Sequence, residues 1–179
     1  MIYLNTEKTV LKTPLKLAMA AVFAALVCVA TLALVINIPA TSGYFNLGET
    51  VIYIAALLFG PLVGAVAGGG AAIADILVAA QFAPGTLIIK GFEGAIVGFL
   101  NKKIQKITRS LTLSAAVSII IGGLEMIAGY FIYEQLVLGY PFAAALVEVP
   151  FNIVQMLVGL VVAIPVMHVI LRVFPQLKS

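Results

Sequence analysis

Apolar residues fill this chain in long unbroken stretches, and polar residues cluster in short intervals between them. Six stretches stand out, and they predict helices over about 14–36, 47–59, 62–80, 86–100, 111–133 and 143–172. Most are continuous over roughly 20 residues, which suits membrane-crossing helices; barrel strands would alternate over roughly 10. The second is shorter, about 20 Å of helix against a hydrocarbon core of about 30 Å, so it must tilt or be recessed at one end. Punctuation separates the runs: Asn37 to Gly43 with Pro39, the Gly60-Pro61 break, Gln81 to Gly85 with Pro84, a basic interval from Asn101 to Ser110, and Glu134 to Pro141. Pro150 and Pro165 fall inside the sixth run, where each is expected to bend the helix or end a segment of it. The fold class is therefore an all-α integral membrane protein with six transmembrane helices in a single domain over 1–179.

Composition agrees. The 179 residues are 63% hydrophobic and 9% charged, where a soluble domain carries about 25% charged residues, and the mean hydropathy is +1.21. The net charge of +3 matters less than its distribution. Lys8, Lys12, Lys16, Lys102, Lys103, Lys106, Arg109, Arg172 and Lys178 lie outside the apolar runs or at their ends. They mark one side of the membrane, and the positive-inside rule makes that side, with both termini, cytoplasmic. The first run begins after Lys16 and is too long and late for a cleaved signal peptide. Cys28 is the sole cysteine, which excludes an intrachain disulfide.

Against this background the ionisable residues inside the runs carry the signal. Glu49 opens the second helix, Asp75 lies late in the third, Lys90 and Glu93 lie early in the fourth, Glu125 is past the middle of the fifth, and Glu134 and Glu148 flank the last loop. A charged group at the centre of a membrane helix costs about 2.5–3.5 kcal/mol or more. Up-and-down topology brings all of them into the outer half of the bundle, with Asn46, Tyr53, Asn152 and Gln155 at similar depth. Lys90 and Glu93 share a helix face, as do Glu148, Asn152 and Gln155. A pair such as Lys90 with Glu93 or Asp75 could be a structural ion pair alone. The whole set fits an outward-facing, apolar-walled pocket for a small polar molecule better, in which Lys90 would touch the guest directly. Phe82 and Tyr133 could stack on a ligand, although an interfacial aromatic belt explains either one more simply.

Several chemistries are excluded. No GxxxxGK[ST] run exists, so nucleotide hydrolysis by that route is absent. No HExxH or histidine pair exists. His168 stands alone near the cytoplasmic end of the sixth helix, and Cys28 has no histidine at its depth. The Lys90 ammonium argues against a tight metal site among the acids. The chain is not expected to be an enzyme or to hold a cofactor or metal of its own.

The run Gly43-Tyr44-Phe45-Asn46-Leu47-Gly48-Glu49, the Phe59-Gly60-Pro61-Leu62-Val63-Gly64 turn, the Asp75 helix, Leu87-Ile88-Ile89-Lys90-Gly91-Phe92-Glu93-Gly94, and Glu148-Val149-Pro150-Phe151-Asn152-Ile153-Val154-Gln155 resemble an energy-coupling-factor (ECF) transporter S component. The likeness is greatest to the group named for riboflavin transport and covers about 14–170. It implies a substrate-binding subunit in a prokaryotic plasma membrane that captures riboflavin or another B vitamin or precursor from outside. Its partners would be a transmembrane T component and two ABC-type ATPases, which consume the ATP. The substrate-binding positions it implies are Lys90, Glu93, Asn152 and Gln155, joined by Asn46, Glu49 and Asp75. The family's alanine-xxx-alanine partner face maps onto Ala20 and Ala24 or onto Ala21 and Ala25, although packing within the bundle explains such a face equally well. The acid content exceeds what a neutral flavin needs, which leaves pyridoxine-like, pyrimidine and cationic ligands open. A stand-alone carrier driven by protons or sodium through Asp75, Glu93 or Glu125 is the alternative.

Overall fold

The computed structural model describes residues 13–177. Lys8, Lys12 and Lys178, which entered the topology argument, lie outside the described residues. Six helices make up most of the chain: α1 (Thr13–Ala33), α2 (Gly48–Phe59), α3 (Pro61–Val78), α4 (Ala83–Thr108), α5 (Leu111–Leu136) and α6 (Phe142–Val173). All but α2 are long and apolar enough to cross a membrane. A short helical turn, Pro175–Leu177, closes the described chain.

Three places depart from the pattern read from the sequence. The apolar residues after Ala33 do not continue α1. Ile36–Asn37 (β1) pairs antiparallel with Tyr44–Phe45 (β2), and the turn between them closes through Ile38 N–H donating to Gly43 O at 2.7 Å. Val35 and Ile36 are β-branched, and Ile38 precedes Pro39, which pushes it toward extended backbone. The basic interval after Asn101 is helix rather than loop: α4 runs on to Thr108, because Lys and Gln are good helix formers and project into water once past the hydrocarbon. It stops where Arg109 turns left-handed (φ 54°), and Ser110 caps α5 by accepting from Leu113 N–H at 3.2 Å. Finally, α6 continues through both Pro150 and Pro165, as membrane helices tolerate.

Contacts between the helices fix which ends lie together. Lys102 reaches over Gly60 at the α2–α3 break, and Thr112 at the start of α5 meets His168 near the end of α6 at 3.3 Å. At the opposite end Thr31 of α1 packs on Gly48, and the Tyr133 hydroxyl donates to Gln81 O at 2.8 Å. Among the described residues every Lys and Arg except Lys90 belongs to the first of these ends, which we term inner.

Glycine decides the packing of α3 and α4. Gly64 faces Gly94, Gly68 faces the Lys90 carbonyl, and Gly98 faces Pro61, each so closely that a Cβ would strike backbone. Gly64/Gly68 on α3 and Gly94/Gly98 on α4, two small-xxx-small pairs, thus interlock with each other. On the other flank of α3, Gly70 meets the Ala24 carbonyl of α1. Away from this seam the core is apolar, built around Ile119, Met126, Val97, Ala163 and Met167.

Candidate functional site

The polar residues gather near the outer end in two layers. The lower one is an ionic floor. Glu49 in the first turn of α2 pairs through Oε2 with Lys90 Nζ of α4. Glu93 Oε2, one turn further along α4, lies 3.4 Å from the same ammonium, which also stands 5.6 Å from the Tyr130 ring centroid. Tyr53 donates to Glu93 Oε1 at 2.9 Å, and Gln155 Nε2 of α6 donates to Glu49 Oε2 at 3.2 Å. Glu49, Lys90 and Glu93 are 1%, 3% and 0% exposed. In so dry a place one ammonium between two carboxylates is held by its partners, and loss of any one strands the others. Glu125 adds a third acid, half-buried, with Oε2 unpartnered.

Above the floor is a cleft enclosing about 350 Å³, part of it continuous with the exterior. It is lined by Gly43, Tyr44 and Asn46 of the hairpin and the segment after it, Asp75 of α3, Phe82, Thr86 of α4, Tyr130 of α5, and Glu148, Asn152 and Gln155 of α6. The Tyr44 hydroxyl donates to Asp75 Oδ1. Burial and the adjacent carboxylate hold that hydroxyl's pKa well above its ordinary value, so it remains a donor. Thr86 Oγ1 and the Tyr130 hydroxyl are 2.9 Å apart. Gln155 joins the layers, because its Oε1 accepts from Asn46 N–H at 3.1 Å while its amide nitrogen holds Glu49. The hairpin turn is fastened across the rim: Thr41 Oγ1 donates to Glu148 Oε1, and Tyr140 donates to Thr41 O at 2.6 Å.

Of the residues expected to bind substrate, Asn46, Asp75, Asn152 and Gln155 line the cleft. Glu49, Lys90 and Glu93 are not among the lining residues; Lys90 lies beneath the cleft between the two carboxylates. Phe82 is reassigned. It is buried in the cleft wall, 6.4 Å from the Tyr140 ring, instead of facing the membrane interface. Thr86 and Tyr130 escaped the sequence reading, although Thr86 stands one helical turn before Lys90 and Tyr130 one turn before Glu134. The two alanine pairs separate as well. Ala20 is 1% exposed and Ala24 is covered by Gly70, whereas Ala21 and Ala25 face outward.

His168 is exposed and bonds within the helix surface through Ile164 O at 2.9 Å, and Cys28 is a free, half-buried thiol.

Comparison with known proteins agrees with this architecture. Residues 12–172 match the family described as ECF-type riboflavin transporter, S component. A relative from Pyrococcus woesei, described as an uncharacterized protein in gap 3'region, is 39% identical over 137 residues, covering 76% of this chain and 88% of that protein. The fold matches a structure described as "Structure and mechanism of the S component of a bacterial ECF transporter", with a TM-score of 0.68 at 20% identity, over 94% of this chain and 100% of that one. With a family match over most of its length and the six-helix fold to go with it, this chain belongs to the ECF-type riboflavin transporter S components: it is a multi-pass, substrate-binding transporter subunit and, as a member of that family, not an enzyme.

Proposed function

We propose that the chain captures a B vitamin or a related small polar molecule from outside a prokaryotic cell and presents it for ATP-driven import by a transmembrane T component and two ABC-type ATPases. Riboflavin is one candidate. The observation that supports this most is the cleft itself: polar side chains distant in sequence converge at the outer end, over a floor in which Lys90 is held between two carboxylates. Capture is non-covalent, and ATP is spent by the partners. Asn46, Asp75, Asn152 and Gln155 contact the guest, while Glu49, Lys90 and Glu93 hold the cleft in shape. The outward Ala21 and Ala25 pair of α1 offers the smooth face on which the T component docks. The test is purification of the chain alone, identification of any retained small molecule by mass spectrometry, and titration with a vitamin panel. Tight binding of one member is expected; no retained molecule and no binding would sink the reading.

One observation favours a second reading. The half-buried Glu125 with its unpartnered oxygen is the kind of group that couples proton or sodium movement in a stand-alone carrier. Uptake by vesicles holding this chain alone, abolished by an uncoupler, would establish that reading in place of the first.

A further inference from the structure

The charge of the cleft narrows what it can accept. Two carboxylates, Asp75 and Glu148, lie on its wall. Each takes one hydroxyl from the chain, Tyr44 on Asp75 Oδ1 and Thr41 on Glu148 Oε1, and each keeps a second oxygen. Glu134, fully buried, stands near Glu148. No Lys, Arg or His lines the cleft among the described residues. The ammonium underneath cannot serve a guest, since Lys90 is 3% exposed and already lies between Glu49 and Glu93. Tyr44, Phe82 and Tyr130 supply aromatic rings to the remaining wall.

We infer, on the basis of the capture role proposed above, that the guest is a planar heteroaromatic compound that offers hydrogen-bond donors or a positive charge to Asp75 and Glu148, and that the cleft rejects compounds bearing a phosphate or carboxylate. A guest N–H or ammonium meets a carboxylate in a charge-assisted hydrogen bond, the stronger kind. A guest anion meets like charge in a poorly screened site and finds no counter-charge. Aromatic walls suit a flat ring, and a cationic one gains further from the ring faces.

The experiment uses matched pairs that differ only in a phosphate: thiamine and its monophosphate, pyridoxamine and its 5′-phosphate, riboflavin and its 5′-phosphate. Each is titrated onto the purified full chain in lipid nanodiscs, and molecules retained from expression are identified alongside. The unphosphorylated member of at least one pair is expected to bind, and its phosphate about 100-fold more weakly or worse. In Asp75→Asn that ratio should shrink to about tenfold or less, because the repelling charge is gone. Glu148→Gln should act in the same direction if Asp75→Asn fails to fold. Equal binding of both members of a pair, or retention of a phosphorylated or carboxylated molecule, would overturn this inference and leave the capture role standing. Absence of any retained molecule together with no binding of any probe would remove the capture role and this inference with it.

Discussion

The two halves of the α3–α4 pair do opposite things with the same two helices. Toward the inner end, Gly64, Gly68, Gly94 and Gly98 let the backbones touch, and nothing polar is needed to hold them. Toward the outer end the small residues give way to Asp75 and Thr86, and the space between the helices becomes wall of the cleft. The change happens at Lys90. Its carbonyl is pressed by Gly68, while its side chain ties α4 to α2 through Glu49. A rigid seam therefore positions the one cation on which the floor depends. The lesson is that in lipid, where apolar contact gives little drive for helix association, close backbone packing supplies rigidity and buried ion pairs are left to set register.

The strongest way to break this division is to remove the cation. Lys90→Met leaves Glu49 and Glu93 buried without a counter-charge and should cost about 3–5 kcal/mol of stability. Thermal unfolding of the purified chain in detergent reads it. Adding Glu49→Gln and Glu93→Gln to Lys90→Met should restore much of the loss. If Lys90→Met instead kept its melting temperature and lost only ligand affinity, the ammonium would belong to the cleft and not to the floor.

A lesser effect is expected at the seam. Gly68→Val forces a side chain against the Lys90 carbonyl, and overpacking of this kind costs about 1–3 kcal/mol. Because the displaced segment carries Lys90, ligand affinity should fall along with stability. Gly69→Ala is the matched control: its added Cβ would meet only Leu87 Cδ1, at 3.4 Å, and it should change neither. Similar losses in both variants would mean that the seam is no tighter than its surroundings.

How much of this could be read in the chain follows from which rules each part obeys. The six helices and the depth of the acids were legible because a hydrocarbon solvent imposes length and charge placement on sequence directly. The meeting of Glu49, Asp75, Lys90, Glu93 and Gln155 at one end followed from helix direction alone. What sequence could not separate was floor from wall. Lys90 and Asp75 lie at similar depth, and only the side-chain directions put one between two carboxylates and the other beside open space. The α1 end was missed because Leu34, Val35 and Ile36 are as apolar as the helix before them, and the hairpin they enter is fixed by pairing with Tyr44 and Phe45. The extension of α4 is hidden in the sequence because a run of charge reads as loop, although Lys102, Lys103 and Lys106 favour helix as soon as water is available.

Within the cleft, Asn152→Ala offers a smaller test. Asn152 lines the cavity from α6, three residues before Gln155, and is not part of the floor. Loss of its contact to a bound guest should weaken affinity by about tenfold, the worth of roughly one hydrogen bond. The melting temperature should hardly move. Gln155→Ala should by contrast lower both, since Gln155 also holds Glu49 and the Asn46 backbone. Equal behaviour of the two variants would erase the distinction between wall and floor on α6.

The smallest expected effect in the isolated chain lies on α1. Ala25 faces outward, so Ala25→Leu should alter stability by no more than about 0.5 kcal/mol and leave ligand affinity unchanged. Ala20 is buried against α3, and Ala20→Leu should cost about 1–3 kcal/mol through overpacking. The difference becomes informative once partners are supplied. If the T component seats on the outward face, Ala25→Leu blocks ATP-dependent uptake in reconstituted vesicles while binding by the chain alone stays intact, because a leucine on a smooth alanine surface holds a neighbouring backbone away. Full uptake by Ala25→Leu would move the docking face elsewhere on the bundle.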